Sequence, residues 1–282
     1  MASADDVRRV LPGYDVESVV LLGSGLENVA YEVNGELVVR FARDPAHVER
    51  EARLLAFLGP VSPLPVPEPL FAGEGCLVYR KLPGTPLLDL ASYDPAPVVD
   101  VLGSFLSALH ALPVSELAEL VDTDVQPLPE WLDDAAALYA RVASAVPPPY
   151  RRLLESFLDT AVPPTDFAPV FSHNDLGIEH VLVDSRATVT GIIDWSDAAI
   201  VDPAYDFGLL YRDLGPFDLD PTLAARAVFY ARCSVLEDLA YGLETGRQPY
   251  VDKSLAALEW LFPPARGQAT GMRNGVAPPV PM

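Results

Sequence analysis

The chain is poor in lysine, cysteine and histidine, and it has no long apolar run. Lys81 and Lys253 are its lysines, and basic residues number 19 against 40 acidic ones, a net charge of −21. A surplus of that sign argues against binding of DNA or RNA by phosphate neutralisation. Cys76 and Cys233 stand far apart in apolar contexts. That excludes a disulfide framework and leads to an expectation of buried thiols in a reducing compartment. No apolar stretch approaches the roughly 20 residues of a membrane span. Met1 to Asp6 lacks the basic start of a secretion signal. A cytoplasmic monomer with no membrane or nucleic-acid partner is the expectation.

With 282 residues, half of them hydrophobic, the chain can bury one large core or two modest ones. Its negative field would attract a cationic small molecule, although solubility alone also accounts for such a charge. Residues 18–22, 29–33 and 37–41 read as short strands, with Asn34-Gly35 as a two-residue hairpin turn. Pro45 to Leu58 reads as a helix that Gly59-Pro60 stops. Proline at 63, 65, 67 and 69 predicts an extended connector, and residues 77–82 another strand. From about Pro97 the apolar spacing turns helical, over 98–112, 131–146, 150–161, 203–211, 223–236 and 239–261, with breaks near Gly246 and Pro249. The fold class expected is α+β: a small antiparallel β-lobe over 1–84, a larger helical lobe over 85–263 and a flexible tail over 264–282. A cleft between lobes is the default small-molecule site.

The densest chemistry lies in His173-Asn174-Asp175-Leu176-Gly177-Ile178-Glu179-His180 and in Ile192-Ile193-Asp194-Trp195. Residues 181–183 and 188–193 read as two strands around the turn 184–187. Folding that hairpin returns Asp194 to the neighbourhood of Asp175 and His180. Two carboxylates and an imidazole around one point suit a divalent metal and a general base, which phosphoryl transfer from a nucleotide requires. Gly23-Ser24-Gly25, between two strands, suits either a loop folded over phosphates or a plain turn.

The order of these pieces resembles the aminoglycoside phosphotransferase family, whose fold is protein-kinase-like. The resemblance runs from about Ser18 to Leu261 and adds Ala108 to Pro113 and Asp202 to Asp206 to the motifs above. It implies that Asp175 is the catalytic carboxylate and that Asp194 and His180 hold Mg2+. His180 stands where most of the superfamily has Asn. The 2''-aminoglycoside and macrolide phosphotransferases share the His, and Asn28 to Gly35 is similar to the same branch. The resemblance also places the phosphate-gripping residue at Arg40, in place of the family lysine, with Glu51 as its partner. Ser24 and Gly25 then cover phosphates, and the backbone around Tyr79, Arg80 and Lys81 receives the purine of ATP or GTP. His173 orients the loop, and His110 is structural.

Asp197, Asp202, Glu237 and Asp238, with Asp213 and Glu244, are candidate contacts for the acceptor's cationic groups. The acceptor expected first is an aminoglycoside, then a basic peptide antibiotic of the capreomycin or viomycin type, then a macrolide. Two other readings stand beside an antibiotic kinase. One is a metabolic kinase acting on choline, a sugar or homoserine; the other is a nucleotide-binding module without turnover, which Arg40 and His180 motivate.

Overall fold

The computed structural model describes residues 3–24, 28–124 and 126–264. Gly25 and the tail from 265 onward lie outside them. Helix α1 (Ala4–Val10) opens the chain, an element the sequence reading lacks. Ser3 caps it with Asp6 in a reciprocal capping box, and Val7 anchors it on the outer face of the first sheet.

That sheet is antiparallel and, among the described residues, five-stranded, in the order β1-β2-β3-β5-β4. Its strands are β1 (Val19–Ser24), β2 (Asn28–Val33), β3 (Leu37–Ala42), β4 (Pro69–Gly73) and β5 (Cys76–Arg80). Alternation sorts β3: Val39 and Phe41 pack toward α1, and Val38 and Arg40 turn to the other face, where α2 (Pro45–Leu58) lies. The proline-rich connector is corrected at its end, because Pro69 already belongs to β4. Proline is tolerated there because β4 is an edge strand.

The two-residue strand β6 (Thr85–Pro86) leads into α3 (Pro95–His110), the short α4 (Val114–Leu117), β7 (Asp122–Thr123), α5 (Leu128–Val142) and α6 (Pro148–Leu158). Then come β8 (Val170–Ser172), β9 (Val181–Val183), β10 (Val189–Ile192) and β11 (Ala199–Val201). The chain closes with α7 (Pro203–Leu214), α8 (Pro221–Thr245) and α9 (Gln248–Leu261). Helix α8 runs through the break expected between Leu236 and Leu239 and stops at Gly246, whose φ of 70° gives the left-handed cap. Strands β6, β7, β8 and β11 are too short to leave a period in the sequence.

β10, β9 and β6 form one small sheet, and β7, β11 and β8 another. Gly84 makes the first of these possible. Its φ is 109°, and a Cβ there would sit 2.7 Å from the Val183 carbonyl. One core joins the lobes: Leu54, Leu55, Leu58 and Leu77 pack in the same cluster as Leu102, Phe105, Phe171 and Trp195. The groups that face the cleft are therefore held from both sides by buried apolar surface.

Candidate active site

The β9–β10 hairpin pairs Val189 with Val183 and Ile192 with Val181. This brings the segment ahead of β9 beside the residue that follows Ile193. His180 marks the meeting point. Its Nδ1 is 3.4 Å from Asp175 Oδ2, and its Nε2 is 3.6 Å from Asp194 Oδ2. Nδ1 also lies 2.7 Å from the Asp175 carbonyl, so it carries the hydrogen and donates it. That bond turns Nε2 toward Asp194, where loss of its hydrogen would leave a lone pair for a metal. Burial lowers the basicity of the ring, but the charges of Asp175, Asp194 and Glu179 outweigh it and hold the imidazole up at about 9.

Asp194 has a φ of 62°, in the left-handed region. A non-glycine residue there costs about 1–3 kcal/mol, with Asp at the tolerant end. The neighbouring Trp195 offsets that cost. It is 1% exposed, stacks parallel to Phe171 at 6.4 Å and meets Phe105 edge-on. Burial of such a ring contributes about 2–3 kcal/mol. Burial disfavours the Asp194 charge, yet His180 and Arg40 prevail and hold its carboxyl below the usual range.

Arg40 is the contribution of the β-lobe. Nη1 reaches Asp194 Oδ1 at 2.9 Å while Nη2 grips Glu51 on α2. One planar fork thus serves two carboxylates, which a single ammonium does less well. Tyr79, on the same face, has its hydroxyl pushed up to about 12, by burial first, with Arg40 opposing and Asp194 adding.

The loop that carries Asp175 hangs from Asp206. This fully buried carboxylate accepts the N–H of His173 (3.2 Å) and of Asn174 (3.0 Å) and lies 3.0 Å from His110 Nε2. Asn174 is left-handed, at φ 65°. The Asp175 N–H donates to His173 Nδ1 at 3.3 Å, so His173 Nε2 carries the hydrogen and donates it to the Ile193 carbonyl at 3.0 Å. His173 therefore ties the loop to the end of β10. Its burial pushes its own pKa down to about 4, so it is neutral. Asp175 is raised well above the ordinary carboxyl range, by burial first; His180 opposes, and Glu179, Asp197 and Asp194 add to it.

Several expected contacts are corrected. The Lys81 N–H is taken by the Glu36 carbonyl at 2.8 Å and its ammonium by Glu32, so that amide is closed to a base. Asp202 caps α7 and binds Arg226 at 2.6 Å, with Tyr230 at 3.3 Å, so it is committed to packing. Asp238 is matched to Arg212 at 3.1 Å and Lys253 at 2.9 Å. Asp213 is enclosed in the same cluster, and Glu244 pairs with Arg141. Asp197 and Glu237 remain at the surface, within electrostatic reach of each other and of Asp134. Ser24 ends β1, and Gly25 lies outside the described residues. The sequence reading missed Asp206, which it quoted only as part of a helix start. The signal available was an acidic residue in the first turn after Asp202-Pro203, beside a loop with unpaired N–H groups.

Known proteins resemble this chain along most of its length. Viomycin phosphotransferase of Streptomyces vinaceus is 28% identical over 238 residues, 78% of this chain and 82% of that protein. The GDP and kanamycin complex of APH(2")-IIia superposes with a TM-score of 0.68 at 26% identity, covering 90% of this chain and 95% of the other. Macrolide 2'-phosphotransferase of Brachybacterium faecium gives 0.56 at 25% identity, over 92% and 97% of the two chains. The family model described as phosphotransferase enzyme family matches residues 18–242, from β1 to α8. The chain belongs to that phosphotransferase family and has its kinase-like fold.

Proposed function

We propose that the protein transfers the γ-phosphoryl group of ATP or GTP to a hydroxyl of a cationic antibiotic, an aminoglycoside or a viomycin-type peptide, and so protects the cell. The observation that carries this reading is His180 set between Asp175 and Asp194, with Arg40 reaching the same carboxylate from the other lobe. The relatives act on such drugs by name, and one was captured with GDP and kanamycin. The net charge of −21 fits a cationic acceptor better than a neutral one.

Asp175 orients the acceptor hydroxyl and takes its proton as the new O–P bond forms, and the nucleoside diphosphate leaves with the old bridging oxygen. A carboxyl raised by its surroundings suits that role near neutral pH. Arg40 turns Nη1 from Asp194 to the phosphates, while Nη2 stays on Glu51, which keeps it aimed. Asp194 and His180 Nε2 would hold Mg2+. A hard cation takes one or two protein ligands and completes its shell with phosphate oxygens and water, so this donor pair suits it, the imidazole being the weaker member. The chemistry a Mg2+ held there would supply is neutralisation of charge developing on the transferred group. Asp197 and Glu237 meet amino groups of the acceptor. Both thiols are buried and unpaired, in keeping with a reducing cytoplasm. No helix among the described residues is long and apolar enough to cross a membrane.

Expression in a sensitive host, challenged with aminoglycosides, viomycin-type peptides and macrolides, tests the reading. Protection against a cationic drug that vanishes with Asp175→Asn supports it. Sensitivity to every drug removes it.

A further inference from the structure

Beneath the Asp175 loop, two cations and three carboxylates pack together. Lys253 on α9 places Nζ 2.7 Å from Glu179 Oε2, 2.9 Å from Asp238 Oδ2 and 3.2 Å from Asp213 Oδ2. Arg212 binds Asp213 through Nε at 2.7 Å and Nη2 at 2.8 Å. The Lys253 side chain is 7% exposed and that of Glu179 9%.

Such a cluster adds little to stability, because desolvation offsets most of the attraction. Its consequence is geometric. Asp213 also accepts the Ile178 N–H at 3.2 Å, so α7 grips the loop twice, through Asp206 and, about two turns further on, through Asp213. Glu179 directly precedes His180, and its carboxylate folds over Gly177, where a Cβ would lie 2.6 Å from Oε1. Lys253 pins that carboxylate down from a separate helix. α9 lies beyond residues 18–242 matched by the family model.

We propose that Lys253, acting through Glu179, is a positioning residue that sets the His180 imidazole against Asp194 and thereby tunes affinity for the divalent cation. The inference rests on the phosphotransfer reading of that pair. Neither Lys253 nor Glu179 touches a reacting group, so the effect is on placement. Partners that orient a metal ligand from behind typically govern about 10–100-fold in affinity.

The test titrates full-length wild type, Lys253→Met, Lys253→Arg and Gly177→Ala with Mn2+ in the presence of a non-hydrolysable GTP or ATP analogue, reading free Mn2+ by electron paramagnetic resonance. Melting temperatures and steady-state kinetics are taken alongside. The expected result is Mn2+ affinity about tenfold weaker in Lys253→Met and Gly177→Ala, substantially rescued in Lys253→Arg, with the acceptor KM unchanged. Gly177→Ala displaces Glu179 while leaving Lys253 with Asp213 and Asp238, so it decides the matter if Lys253→Met fails to fold. A lower melting temperature with unchanged Mn2+ affinity would mean a structural role only and would overturn the proposal. Wild type that binds Mn2+ and transfers phosphate, with both variants equal to it, defeats this inference alone. Wild type that binds no Mn2+ with nucleotide defeats the phosphotransfer reading and this inference together.

Discussion

Arg40 spans the cleft to Asp194, its Nη1 2.9 Å from Oδ1, while its other terminal nitrogen holds Glu51. The contact joins the central strand of the β-lobe to the end of the β9–β10 hairpin. It also explains why arginine can stand where the family has lysine: one fork meets two acids. Arg40→Lys is expected to keep the fold and raise the nucleotide KM about tenfold, with a smaller change in kcat. Arg40→Met leaves Glu51 buried and uncompensated and is expected to cost about 3–5 kcal/mol. Steady-state kinetics and urea unfolding check the two arms.

Asp175→Asn removes the proton acceptor and leaves Arg40, Asp194 and His180 in place. The expected loss in kcat is about 10²–10⁴-fold, with nucleotide affinity within a few-fold of wild type. Quenched-flow transfer assays and nucleotide titration measure the two quantities.

Asp206 directly holds the N–H groups of His173 and Asn174 and meets His110. Asp206→Ala strands these donors at about 1–3 kcal/mol each. Asp206→Asn keeps one acceptor oxygen and is expected to be milder. Urea unfolding should rank wild type above Asn and Asn above Ala, with kcat falling in the same order.

His173 supplies a pH dependence. Its folded pKa is lowered from 6.5 to about 4. Between those values the unfolded chain binds a proton at this residue that the folded chain does not, so the His173 contribution to stability rises with pH across the window and is constant above it, whatever Asp175 and His180 add with the opposite sign. Removing the group with His173→Gln is expected to make the stability curve shallower between pH 4 and 6.5 and parallel to wild type above pH 7. Chemical denaturation at a series of pH values reads the slope.

The parts legible in the sequence were those with local rules. Asn34-Gly35 announces its hairpin, Pro45 starts α2, and residues 181–193 fold back on themselves as their strand and turn residues require. The pairing of Arg40 with Glu51 followed from resemblance and appears as an ion pair. What sequence did not reveal was partner choice over long separations. Asp202 and Asp238 look like free acids until Arg226, Arg212 and Lys253 arrive from other elements or later turns. Asp206 reads in the sequence as part of a helix start and Asp213 as a candidate acceptor contact, because nothing local says that a loop's N–H groups will dock on them. The Lys81 N–H is another such case, since it is claimed by the Glu36 carbonyl from a distant part of the chain.

Asp175 is proposed to deliver a drug hydroxyl to the γ-phosphorus of a nucleotide. The most direct measurement incubates purified protein with Mg2+, ATP or GTP and single drugs, kanamycin and viomycin foremost, and follows product mass and the phosphorus NMR spectrum. The expected result is one phosphoryl group added to a hydroxyl of a cationic drug by wild type and none by Asp175→Asn. Every drug recovered unmodified, or equal transfer by both proteins, would contradict it.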